Sequence, residues 1–107
     1  MLVLNFLNGF TMINILMSAI RSRQEISFTY SGFERVAQPA AIGVSRAGNE
    51  VLRCYQTEGG HINPGHEWDL CTVQNITNLQ VKDSIFGTNP PGYKPGDKGM
   101  TEIYAEL

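Results

Sequence analysis

Arginine close to tyrosine is the pairing in this chain with the clearest chemistry. A guanidinium offers parallel N–H donors to a phosphate or carboxylate, and an aromatic ring offers a face on which a base stacks for about 1 to 3 kcal/mol. Arg53 and Tyr55 are two residues apart, the spacing that puts both side chains on one face of a strand. Arg35 follows closely on Tyr30, so Arg35, Arg53 and Tyr55 are expected to project together, with Tyr30 and Trp68 as further aromatic surfaces. The expected ligand is a nucleotide or single-stranded nucleic acid. The competing reading packs the tyrosines and Trp68 into the core and pairs the two arginines with Glu34, Glu50 or Glu58.

Other chemistry is poorly served. His61 and His66 lie in one glycine-rich loop near Glu67, Asp69 and Cys71, but a structural zinc site wants four ligands at regular spacing, so solvated histidines are expected and no metal. The serines lack a Gly-x-Ser-x-Gly elbow and both histidines share that loop, so no catalytic triad can be assembled and no enzyme is expected. Lys94, Gly96, Lys98 and Gly99 lack the spacing of a phosphate loop and are read as a turn-rich connector. No cofactor is implied.

Charge narrows the partners. Eight Lys+Arg against ten Asp+Glu give a formal net charge of -2, so there is no diffuse cationic field for duplex nucleic acid or an anionic membrane, and any anion site must be local. Cys54 and Cys71 have neither the count nor the spacing of a disulfide framework, so reduced, buried thiols and a cytoplasmic protein are expected. The apolar stretch Met1 to Ile20 raises the question of a membrane anchor or signal. Asn5, Asn8 and Asn14 interrupt it, and it has neither a basic flank before it nor a small-residue cleavage site after it. Residues 1–11 are read as a leader, poorly ordered or packed, with Met12 an alternative start.

The elements that must position these residues follow from periodicity. Ile13, Leu16, Met17 and Ile20 recur at helical spacing, with Thr11 as the N-cap, predicting a helix over 12–23. The period then changes to 2. Ile26, Phe28 and Tyr30 alternate with Ser27 and Thr29 into a tight turn at Ser31-Gly32. The segment 33–44 reads as two short strands joined at Pro39, which cannot donate to a ladder. A second turn falls at Gly48-Asn49. Val51 to Thr57 forms a strand with Leu52 and Cys54 on one side and Val51, Arg53 and Tyr55 on the other. Trp68 to Val73 and Ile76 to Val81 supply two more strands. The fold class is therefore mainly β with an N-terminal helix, a small five-stranded SH3-like or Sm-like barrel, in which closure removes the exposed edges.

The order Ala19-Ile20-Arg21-Ser22-Arg23, Ile26-Ser27-Phe28-Thr29-Tyr30, Gly32, Glu34-Arg35-Val36 and Pro39 resembles the start of a WYL domain, and Trp68 to Ile76 is similar to that family's closing strands. Its Trp-Tyr-Leu strand corresponds to Glu50 to Tyr55, where the leucine alone survives, and Gln74-Asn75 stands where the family has an Asp-Arg pair. The resemblance covers residues 12–86 and implies an Sm-like barrel of bacterial regulators, with a ligand-sensing role for nucleotides or nucleic-acid fragments. A protein-interaction or assembly domain, acting on a protein partner or as a homo-oligomer, is the alternative. Residues 87–107 form a C-terminal extension. Its prolines exclude regular structure before Asp97, and 100–107 fit a short helix or a strand, the helix being preferred.

Overall fold

The computed structural model describes residues 3–4, 9–60 and 65–107. In chain order it comprises β1 (Val3–Leu4), α1 (Gly9–Ser22), β2 (Gln24–Tyr30), β3 (Phe33–Ser45), β4 (Glu50–Gly59), β5 (Trp68–Thr72), a 3-10 turn (Val73–Asn75), β6 (Thr77–Ile85) and β7 (Met100–Glu106). One helix with a mainly β body is the expected class. Among the described residues the strands number seven in one antiparallel sheet rather than five, and no backbone ladder among them makes the expected closure. The strand order is β1-β6-β2-β3-β4-β5, with β7 added on β3.

Among the described residues, the helix starts earlier than its sequence pattern suggests. Thr11 lies inside α1 instead of capping it, because apolar packing of Met12 and Ile13 extends the helix back to Gly9. Of the expected leader, Val3–Leu4 pair with β6 and Gly9 to Thr11 are helical, while residues 1–2 and 5–8 lie outside the described residues. Ile13, Leu16 and Ile20 are buried as predicted, joined by Met12 and Ala19, with Met17 half-buried on the same core. The helix ends where Arg23 turns into the left-handed region (φ 56°), its N–H donating to the Ile20 carbonyl. No helix among the described residues is long and apolar enough to cross a membrane.

Alternation in β2 buries Ile26 and Phe28, and the Ser31-Gly32 turn has both residues at positive φ, the geometry that matches a two-residue hairpin to strand twist. β3 is one long strand instead of two. Pro39 fits within it because the register slips there: Pro39 faces Cys54, Ala41 faces Arg53, and Ala40 is bulged out. The bulged Ala40 carbonyl accepts the Leu107 N–H. β3 thus pairs with β2 through Phe33 to Ala37, with β7 through Ala41 to Ser45, and with β4 along its other edge. Gly43 permits the β7 contact, since a Cβ there would sit 2.0 Å from the Glu102 carbonyl oxygen.

The C-terminal segment is a strand, not the short helix preferred from sequence. Met100, Ala105 and their neighbours fit either period, and the open edge of β3 supplies the hydrogen bonds that decide it. Two apolar clusters lie on opposite faces of the β4 sheet. The inner one gathers Leu16, Ile20, Ile26, Phe28, Ile42, Leu52, Cys54 and Cys71. The outer one gathers Ala41, Val51 and Met100, with Leu70 and Ile103 against them.

Candidate functional site

The five residues singled out from the sequence fall into two groups. Arg53 faces Leu70 and Tyr55 faces Trp68 across the β4–β5 ladder, whereas the intervening Cys54, a member of the inner cluster, faces Asp69. Arg53, Tyr55 and Trp68 therefore belong to the outer face and Asp69 to the inner one. Arg35 joins Asp69: its Nη1 donates to Asp69 Oδ2 at 2.7 Å. The expected joint projection of Arg35 with Arg53 and Tyr55 is not what the fold produces. Alternation holds within one strand, and the pairing between strands, with slips at Ala37 and Ala40, sends the two guanidiniums to opposite sides.

The inner group is consumed by the fold. Arg35 is only 6% exposed, its Nη2 donates to the Tyr30 carbonyl at 3.3 Å, and its guanidinium lies 5.1 Å from the Tyr30 ring centroid. The Tyr30 hydroxyl accepts the Thr72 N–H at 3.0 Å, while the Leu70 N–H donates to Asp69 Oδ1 at 2.9 Å. Side chains thus bridge β2 to β5 and occupy two N–H groups of a strand with no second ladder partner, a known way of blunting an edge. Cys71 donates its S–H towards Asp69 Oδ2 at 3.8 Å. Cys54 and Cys71 are free and buried, and hydrogen bonding to Cys71 together with burial holds the Cys54 thiol well above its ordinary range, which keeps Cys54 chemically quiet.

Arg53 and Trp68 of the outer group line a cleft, and Tyr55 packs against the indole. Tyr55 and Trp68 meet edge to face, with centroids 5.3 Å apart and planes at 71°. The connector between β6 and β7 folds back over them: Trp68 Nε1 donates to the Pro91 carbonyl at 2.8 Å, and Tyr93 donates to the Leu107 carbonyl at 2.9 Å. Asp97 receives Arg53 at two points, Nε to Oδ2 at 2.7 Å and Nη2 to Oδ1 at 3.2 Å, and also accepts the Gly99 N–H at 2.8 Å. That hydrogen-bonded guanidinium lowers the Asp97 carboxyl from its ordinary range, and Asp97 in turn raises Arg53. Between sheet and connector lies a cavity of about 340 Å³ lined by Ala41, Arg53, Trp68 and the segment 92–98.

Lys94 and Lys98 edge this cavity, both exposed, and no ion pair among the described residues engages either. Arg46 lies alongside, donating to the Lys98 carbonyl at 3.3 Å. Four of the chain's eight basic residues, Arg46, Arg53, Lys94 and Lys98, thus meet two carboxylates, Asp97 and Glu106, the latter bonded to the Gly96 N–H. Among these six side chains positive charge exceeds negative by two, on a chain of net charge -2. Two larger clefts, of about 580 and 590 Å³, carry Glu34 and Glu58 beside the ion-paired Arg35 in one and Glu50 in the other.

Sequence reasoning missed Asp97, Lys94 and Lys98 as members of a site. A signal was present in the Lys94 to Gly99 segment, but its spacing argued only against a phosphate loop, and nothing local shows that it folds onto Arg53. His61 lies outside the described residues, and among those described no group of three or more histidine, cysteine or acidic side chains is placed to hold a metal. Comparison with protein-family models, with curated proteins and with solved structures finds no match to this chain.

Proposed function

We propose that this chain is a non-enzymatic ligand-binding module, a divergent WYL-like domain on an SH3-like or Sm-like barrel, that senses a nucleotide or a short single-stranded nucleic acid. The order β6-β2-β3-β4-β5, with a 3-10 turn between β5 and β6, supports the barrel type. The observation that carries the ligand reading is the cleft of Arg53 and Trp68, the indole braced edge to face by Tyr55, rimmed by Lys94 and Lys98 on an otherwise acidic chain. A ring stacks on the indole and the lysines meet the anionic group; a cavity of this volume is at the small end of ligand sites, suited to one nucleotide. Tyr30 and Arg35 hold the sheet together in this reading and are not ligand contacts. The free thiols Cys54 and Cys71 support a cytoplasmic setting.

Trp68 is the chain's single tryptophan, so its fluorescence reports on the cleft directly. Saturable quenching by adenosine monophosphate or by short single-stranded oligonucleotides is expected, with duplex DNA weaker. The salt dependence is expected to be shallow, about -0.7 in log affinity per phosphate neutralised on a single strand. Arg53→Ala and the Lys94→Ala, Lys98→Ala pair should each weaken binding by about 1 to 3 kcal/mol. No saturable response at high micromolar protein in low salt would remove this reading.

The assembly-domain alternative has one observation in its favour. The face is already covered by a peptide, the chain's own segment 86–107, in the way a partner strand would cover it. Concentration-dependent association, or a protein partner, together with silence in the fluorescence titration would favour it.

A further inference from the structure

Resting on the reading above, we infer that the cleft selects ligands ending in a phosphate monoester over interior phosphodiesters, because Asp97 already occupies its anion position as a built-in competitor. Three donors converge on that one carboxylate: Arg53 Nε at 2.7 Å, Arg53 Nη2 at 3.2 Å and the Gly99 N–H at 2.8 Å. Guanidinium fork plus backbone amide is the donor set a phosphate would use. The Asp97 side chain is 11% exposed, so it is seated within the site rather than lying over it.

Competition with a tethered group sets the selectivity. An intramolecular carboxylate acts at an effective concentration that a free monoanion of equal charge must exceed merely to draw level. A phosphodiester carries one negative charge and gains nothing over Asp97 on Arg53. A phosphate monoester carries about -1.5 to -2 at pH 7. Its extra charge is attracted both to Arg53 and to the unpaired ammonium groups of Lys94 and Lys98 on either side. The displaced Asp97 belongs to a connector without regular structure, with Gly96 before it and Gly99 two residues after it, so the carboxylate can leave without breaking a strand. Selection between a terminal and an interior phosphate thus comes from what the ligand must evict, with no base-specific contact required.

The test compares adenosine 5′-monophosphate, a monoester, with adenylyl-adenosine, whose single phosphate is a diester, by Trp68 fluorescence at constant ionic strength. The full wild-type chain should bind the monoester about tenfold more tightly or better. Asp97→Asn should raise affinity for the diester and shrink that ratio towards unity. Equal wild-type affinities would overturn the inference while leaving the nucleotide-sensor reading standing, and so would a ratio that Asp97→Asn leaves unchanged. Silence towards both ligands in both proteins would overturn inference and reading together. Should Asp97→Asn fail to fold, Asp97→Ser, which also removes the competing charge, is read by the same outcomes.

Discussion

Replacing Tyr30 by Phe removes one oxygen and tests whether side chains bridge the gap between β2 and β5. The hydroxyl accepts the Thr72 N–H at 3.0 Å, while the Tyr30 ring stays in position beneath Arg35. A buried donor left without its acceptor costs about 1 to 3 kcal/mol. Thr72 is half-buried, so water recovers part of that, and about 1 to 2 kcal/mol is the expected loss. For a chain of about this size each kcal/mol moves the melting temperature by about 4 °C or more. Circular dichroism melts of wild type and Tyr30→Phe should differ by at least that, and hydrogen exchange at the Thr72 amide should accelerate in the variant at native temperatures. An unchanged melt with the Thr72 amide still protected would show that the hydroxyl bridge contributes nothing and that another interaction ties β5 to β2.

Ile20→Asp, which places an unpaired charge in a fully buried position, should lower stability by about 3 kcal/mol or more in denaturant titration. Gly43→Ala puts a methyl group into the Glu102 carbonyl and should detach β7, seen as early proteolysis between Gly96 and Glu106 with the rest of the sheet intact. Ellman titration should find both thiols unreactive in native protein and two reactive after denaturation without reductant; none after denaturation would mean a disulfide. The Asp97 carboxyl is lowered in the folded chain, chiefly by its bond to Arg53, so the stability it contributes is present above the ordinary carboxylate range and is lost as pH falls through the folded value. Asp97→Asn should accordingly flatten part of the acid limb of the stability curve below about pH 4.

The helix and the hairpins were legible because their signals are local. Ile13, Leu16 and Ile20 repeat at helical spacing, and Ser31, Gly32 and Gly48 sit where positive φ is wanted. What sequence alone could not supply was register. Val51, Arg53 and Tyr55 share a face as alternation within one strand requires, yet Arg35 cannot be assigned to that face without knowing which residues of β3 and β4 are opposite and where they slip. β7 was ambiguous for a related reason: a seven-residue amphipathic stretch takes the structure that its neighbour offers, and the open edge of β3 is a property of the assembled sheet. Asp97 was illegible altogether, since its role depends on a partner 44 residues away.

The three partners of β3 also set an order of assembly. β2 and β4 join it through short turns, so those ladders close small loops and form early, whereas β7 must return from the far end of the sequence and bear a larger closure entropy. The inner core can therefore consolidate while the outer face is still bare. Arg53 meets its carboxylate, Trp68 its carbonyl and the cleft its second wall when the connector and β7 dock. In the proposed ligand-binding reading, competence to bind would arrive with the docking of β7, and a bound ligand would act as a latch on that segment. Amide exchange across Met100–Glu106 would slow on ligand addition before any change appeared at Ile26 or Leu52.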